Sequence, residues 1–146
     1  MTDTYTLTVT PKQLGILRDA CELLARCRMG QIADACYEVI DAEGRALVPY
    51  DVARQAEDLV KRAVGLDGNA YWGVGKHDSI DCAFDLYATI RHRIAWDNAY
   101  ADGLVQPGDK RKWPEMMAVS YDPPMNHGTE PLPIINGQQP PANEVM

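Results

Sequence analysis

Hydrophobic and polar positions along this chain follow two periods, one of two residues at the start and one of three to four afterwards. Residues 4–10 (TYTLTVT) alternate without a break. Tyr5, Leu7 and Val9 share one face and threonines take the other, as in a half-buried strand. The period changes at Thr10-Pro11-Lys12-Gln13. Thr10 can cap a helix, Pro11 suits its first position, and Gln13 completes a capping box. The predicted first helix runs to about Met29, with Gly30 as its C-terminal stop. Its apolar rows, Leu14-Leu17-Cys21-Leu24 and Ile16-Ala20-Leu23-Cys27, cover about half the circumference, so packing on two sides is expected.

Three more helices follow from the same reasoning. Residues 31–40 carry Ile32, Cys36 and Val39 in register, and residues 41–44 form a turn. Residues 51–64 place Val52, Ala56, Leu59 and Ala63 on one face, expected to be the buried one. The pairs Glu57–Lys61 and Asp58–Arg62 are expected on the solvent side. A glycine-containing loop over residues 65–77 leads into the longest helix, from Asp78 or Ser79 to about Ala101. There Ile80, Phe84, Tyr87, Arg91, Ile94 and Asn98 are spaced 4, 3, 4, 3 and 4, the seam by which one helix lies along another. Beyond it, seven of the ten prolines lie at or after Pro114, and Met117, Val119 and Tyr121 suggest a short strand. The expected fold is α+β: about four helices, with a small two- or three-stranded sheet joining the N-terminal strand to the C-terminal one. Residues 1–121 would form one globular domain and residues 122–146 a Pro-rich extension.

Composition narrows the function by exclusion. With 146 residues, 46% hydrophobic and 24% charged, the chain is globular in type. A net charge of −7 argues against a nucleic-acid binder, which needs a basic face. The first ten residues do not read as a signal peptide, and no apolar run nears the roughly 20 residues that span a bilayer. A cytoplasmic protein without a membrane partner is expected. The four cysteines form no CxxC pair and read as reduced core residues.

Candidate chemistry gathers around the longest helix. Arg91 falls on the predicted apolar seam, where it must meet either an internal carboxylate or a bound anion. In the preceding loop, Gly73 and Gly75 permit close backbone approach near a helix N-terminus, Lys76 and His77 supply charge and donors, and Tyr71 and Trp72 offer stacking faces. The alternative is a plain linker whose aromatics plug the core. His92 and Trp96 lie with Asp85 on the face opposite the seam, so either a segment covers Trp96 or it forms an exposed contact patch. His77, Asp81 and Asp85 step by four and could touch a metal, but they read equally as solvated N-terminal acids, and no metal or cofactor is expected. Nothing places a base beside a nucleophile, so a non-enzymatic role is expected.

The stretches TLTVTPKQLGILRDACELLARCRMGQ, SIDCAFDLYATIRHRIAWDNA and EPLPII, in this order, resemble a group of small bacteriophage and prophage accessory proteins without an assigned activity. The resemblance implies a protein acting in the cytoplasm of a bacterial host and carries no functional residue with it. Two readings of function result. In the first, the chain binds a small anionic, nucleotide-like ligand through Tyr71, Trp72, Gly73, Gly75, Lys76, His77 and Arg91, as a monomer or homo-oligomer, and so sequesters a host defence signal. In the second, it is a protein-interaction module that inhibits or adapts a host or phage protein.

Overall fold

A computed structural model describes residues 3–104 and 123–137. Among them are four helices: α1 (Pro11–Arg28), α2 (Ile32–Cys36), α3 (Tyr50–Ala63) and α4 (Asp78–Ala101). The start of α1 follows from its capping box, and both reciprocal bonds are present. The Thr10 amide donates to Gln13 Oε1 at 2.9 Å, and the Gln13 amide donates to Thr10 Oγ1 at 3.2 Å. Its end is set by Gly30, whose φ of +90° only glycine adopts without strain. There the Gln31 amide returns to the Arg26 carbonyl at 2.9 Å.

The α+β expectation is overturned, because the described residues are helical and contain no sheet. Residues 3–10 carry no strand, and Tyr5 stands 98% exposed. Alternation assigns side chains to two faces, but a strand also needs an edge to pair with, and no described segment supplies one. The expected partner, residues 117–121, lies outside the described residues. The only strand-like pairing among those described is an isolated antiparallel bridge between Ile40 and Ala46, which closes the turn after α2.

The chain divides into two compact units. One contains residues 21–85 and 125–132. Its apolar core is Ala25 from α1, Met29 just after that helix, and Ile80 and Ala83 from α4, and Trp72 and Phe84 pack against it. Two alanines among these four residues keep the core small. Much of the rest of this unit is held by polar contacts. Asp85, buried on α4, accepts the amides of His127 (3.0 Å) and Gly128 (2.7 Å). Gly128 is required at that point: a Cβ there would come within 2.7 Å of Cys82 Sγ and 3.0 Å of the Cys82 backbone nitrogen.

The described residues of the other unit are 3–20, 86–104, 123–124 and 133–137. Trp96 is the largest buried side chain among them, at 0% exposure. The indole N–H donates to His92 Nε2 at 3.1 Å, and Tyr100 lies 5.6 Å away, centroid to centroid. Arg93, also buried, pairs with Asp97 at 2.6 Å. A Cβ on Gly137 would fall 2.5 Å from Arg93 Nε, so the backbone at Gly137 runs tight against this face. The predicted seam holds at its first two residues, Ile80 and Phe84, and does not continue through Arg91. Arg91, expected on the apolar face, is exposed, while His92, Arg93 and Trp96 are inside.

Two further expectations about burial are corrected. Helix α1 fully buries one residue, Ala25, and Ile16 and Leu24 from its two apolar rows are exposed. Helix α3 is turned over: Val52, Leu59 and Ala63 face solvent, and Ala53, Glu57 and Lys61 are buried. No helix among the described residues is long and apolar enough to cross a membrane.

Candidate functional site

The inversion of α3 begins with the loop after it, which folds back over the charged face. Lys61 Nζ donates to the Gly68 carbonyl at 2.6 Å and sits 4.0 Å from the centroid of the Tyr71 ring. Glu57, 1% exposed, accepts three donors: the Ala33 amide at 3.2 Å, Arg54 Nη1 at 2.8 Å and the Tyr71 hydroxyl at 3.0 Å. The Glu57 carboxylate thereby ties α2, α3 and the loop together. Glu57 and Lys61, expected to pair with each other in solvent, each find a partner elsewhere. Tertiary hydrogen bonds and a cation–π contact outweigh the desolvation of the two charges.

Above this knot lies an open cleft of about 380 Å³. Tyr37 and Asp34 line it from α2 and the residue after it, Tyr50 and Arg54 from α3, and Tyr71 from the loop. The Tyr37 hydroxyl is buried and has no hydrogen-bond partner among the described residues. Burial pushes that phenol above its ordinary pKa, with the nearby Tyr50 adding to the shift and Arg54 opposing it, so it stays protonated and able to donate. Arg54 uses only Nη1, on Glu57 and on the Tyr71 oxygen at 3.3 Å. Its hydrogen bond with Tyr71 raises its pKa first and Glu57 adds to this, which holds the guanidinium charged. The charged residues lining the cleft are two carboxylates and one guanidinium: Arg54 answers Glu57, and Asp34 stands 3.9 Å from Arg26, which Glu22 engages at 2.9 Å.

Of the sequence-predicted site residues, Tyr71 alone lines this cleft. Trp72 donates its amide to the Met29 carbonyl at 3.0 Å and packs on the core, with Lys76 Nζ 4.5 Å from its ring centroid. Gly73 is exposed. The Gly75 amide, expected to meet a phosphate, donates to both oxygens of Asp81 at 2.9 and 3.2 Å, so an internal carboxylate already holds the anion's place. His77 caps α4: its Nδ1 accepts the Ser79 amide at 3.2 Å and lies 2.7 Å from the Ser79 hydroxyl. Arg91 belongs to the other compact unit. Trp96, for which the sequence left open a covering segment or an exposed contact patch, is buried.

Sequence reasoning passed over Tyr37, Tyr50, Arg54 and Glu57. A signal was available. Tyr50, Arg54, Glu57 and Lys61 repeat at spacings of 4, 3 and 4, the same as the apolar row Val52, Ala56, Leu59 and Ala63. Either row could have been the inner one, and hydrophobicity favoured the wrong one.

Among the described residues no three His, Cys, Asp or Glu side chains cluster as a metal site requires. Asp81 and Asp85 are engaged separately with backbone amides. All four cysteines are free thiols, and burial pushes Cys21 and Cys27 above the ordinary thiol pKa, away from the reactive thiolate.

Asp78, at the start of α4, accepts the Thr129 hydroxyl at 2.7 Å and its amide at 2.8 Å. These bonds, the hydroxyl first, hold its carboxyl below the ordinary value of 3.8. A depressed folded pKa stabilises fully above the unfolded value, and the contribution disappears as pH falls through the folded one. The Thr129 amide resonance is therefore expected to titrate with a midpoint below 3.8, and Asp78→Asn should abolish that titration. A midpoint at or above the ordinary value would show that the contact is not formed.

Compared with known protein families, with curated proteins and with solved structures, the chain matches none.

Proposed function

We propose that the chain is a non-enzymatic small-ligand binding protein whose site is the tyrosine-lined cleft of α2 and α3. The observation that carries this reading is the buried, unpartnered Tyr37 hydroxyl beside a guanidinium that uses one nitrogen on the protein. Buried polar groups are nearly always satisfied, so an unmet donor at the wall of a cleft calls for an outside acceptor. Tyr50 and Tyr71 add aromatic faces, and the remaining donors of Arg54 suit one acid group. With two carboxylates and one guanidinium in its lining, the cleft disfavours a polyphosphate. A planar, hydrogen-bonding ring with at most one acid group fits best, which narrows the nucleotide-like ligand expected from the sequence. Action as a phage accessory protein in a bacterial host belongs to the proposal too, resting on the resemblance of short motifs alone.

Calorimetry against nucleosides, monophosphates, cyclic nucleotides and triphosphates tests the site. Binding is expected for the uncharged and singly charged members and weakens with added phosphates. Tyr37→Phe should cut affinity about tenfold while the free protein unfolds no more readily than the parent, because no internal hydrogen bond is lost. Absence of any response at millimolar ligand, or a Tyr37→Phe variant that binds unchanged, would end this reading.

A further inference from the structure

The apolar row of α3 departs from ordinary burial along the length of the helix. Leu59 is 65% exposed, Val52 and Ala63 are also exposed, and Ala56 is half-buried. The charged row on the other side of the same helix is inside. An amphipathic helix that shows its apolar stripe to water has that stripe in reserve for another surface.

We infer that this stripe is the contact between two copies of the chain, packed as an antiparallel α3–α3 pair about a two-fold axis near residues 57 and 58. The stripe has the 4-3-4 spacing of a helix-pairing seam, and its order is large, small, large, small. Reversing one helix about that axis sets Val52 against Ala63 of the second copy and Ala56 against Leu59. Every layer then joins a large side chain to a small one, as close packing requires. No parallel pairing in register achieves this, because it would set Leu59 on Leu59 and Ala56 on Ala56.

Charge agrees with the same arrangement. Asp51 is the acid of the first turn of α3, and Arg62 is a base of the last turn. Antiparallel pairing brings Asp51 of each copy beside Arg62 of the other, twice over, and opposes the two helix dipoles. A self-complementary patch closed by a two-fold is the commonest form of homo-oligomer. The bridged turn adds apolar surface next in sequence, with Val39, Ile40 and Leu47 exposed. This inference is independent of the ligand cleft, which opens on the residues of the opposite row.

Sedimentation of the full-length chain from low to high micromolar concentration tests it. A dimer is expected. Leu59→Glu, at an exposed position where it leaves the subunit folded by circular dichroism, should raise the dissociation constant about a hundredfold by setting an unpaired charge in the seam. Asp51→Arg alone should weaken the dimer about fivefold, and adding Arg62→Asp should restore it, because the exchange recreates both pairs only in antiparallel register. A chain that stays monomeric throughout, a dimer indifferent to Leu59→Glu, or a double exchange that fails to recover the parent affinity would each overturn the inference.

Discussion

Trp96→Ala is expected to lower the free energy of unfolding by about 4 kcal/mol, within the usual range for losing a buried Trp. The indole is fully buried, it lies against Tyr100, and its N–H is satisfied by His92 Nε2. Truncation removes the apolar contact, opens a cavity and leaves the imidazole without that donor. Trp96→Phe separates these contributions: it keeps most of the ring and should cost less than half as much. Urea titrations of both variants supply the measurement. If Trp96→Ala cost under about 1 kcal/mol, as a surface change would, the indole could not be a core residue.

The second large effect is expected at Glu57. Replacing it with alanine removes the acceptor shared by the Ala33 amide, Arg54 and the Tyr71 hydroxyl. About 3 kcal/mol is expected, toward the lower end for breaking a buried pair, because Arg54 is one-third exposed and water screens its part. Glu57→Gln keeps an oxygen for the amide of α2 but turns an NH₂ toward a second donor, so an intermediate loss of about 1–2 kcal/mol follows. Denaturant unfolding supplies both values. The amide of Ala33, followed by hydrogen exchange, shows whether α2 loosens as its anchor is lost. Equal stability of the alanine variant and the parent would mean that the buried carboxylate does not organise this unit.

The helices were legible because their signals are local. Thr10, Pro11 and Gln13 lie within one turn and make their capping bonds without help from the rest of the chain. Gly30, Gly44, Gly65 and Gly103 each take a positive φ where the pattern calls for a stop or a turn. The expected strand failed for the complementary reason. TYTLTVT states a preference for two faces, while strand formation depends on a partner edge that no local pattern guarantees.

The inner face of each helix was harder to read. On α4 the unbroken row through Arg91 promised the seam, yet the chain buries His92 and Trp96. On α3 two rows of equal spacing competed, and the charged one went inside because Gly68, Tyr71 and Ala33 arrive from distant positions to satisfy it. The loop site failed similarly. Gly75 has the geometry expected of an anion-binding amide, but Asp81 supplies the anion from within the chain.

By itself, then, the sequence determined where α1, α3 and α4 begin and end, since caps, positive-φ glycines and periodicity act over a few residues; α2 was expected to reach residue 40 but stops at Cys36, where the chain turns into the Ile40–Ala46 bridge. Only the tertiary structure decided which faces are buried, which carboxylates are engaged and where a cleft remains open. A side chain's burial depends on what the rest of the chain brings to it. For Glu57 and Lys61 that was enough hydrogen bonding to reverse the order that hydrophobicity alone would set.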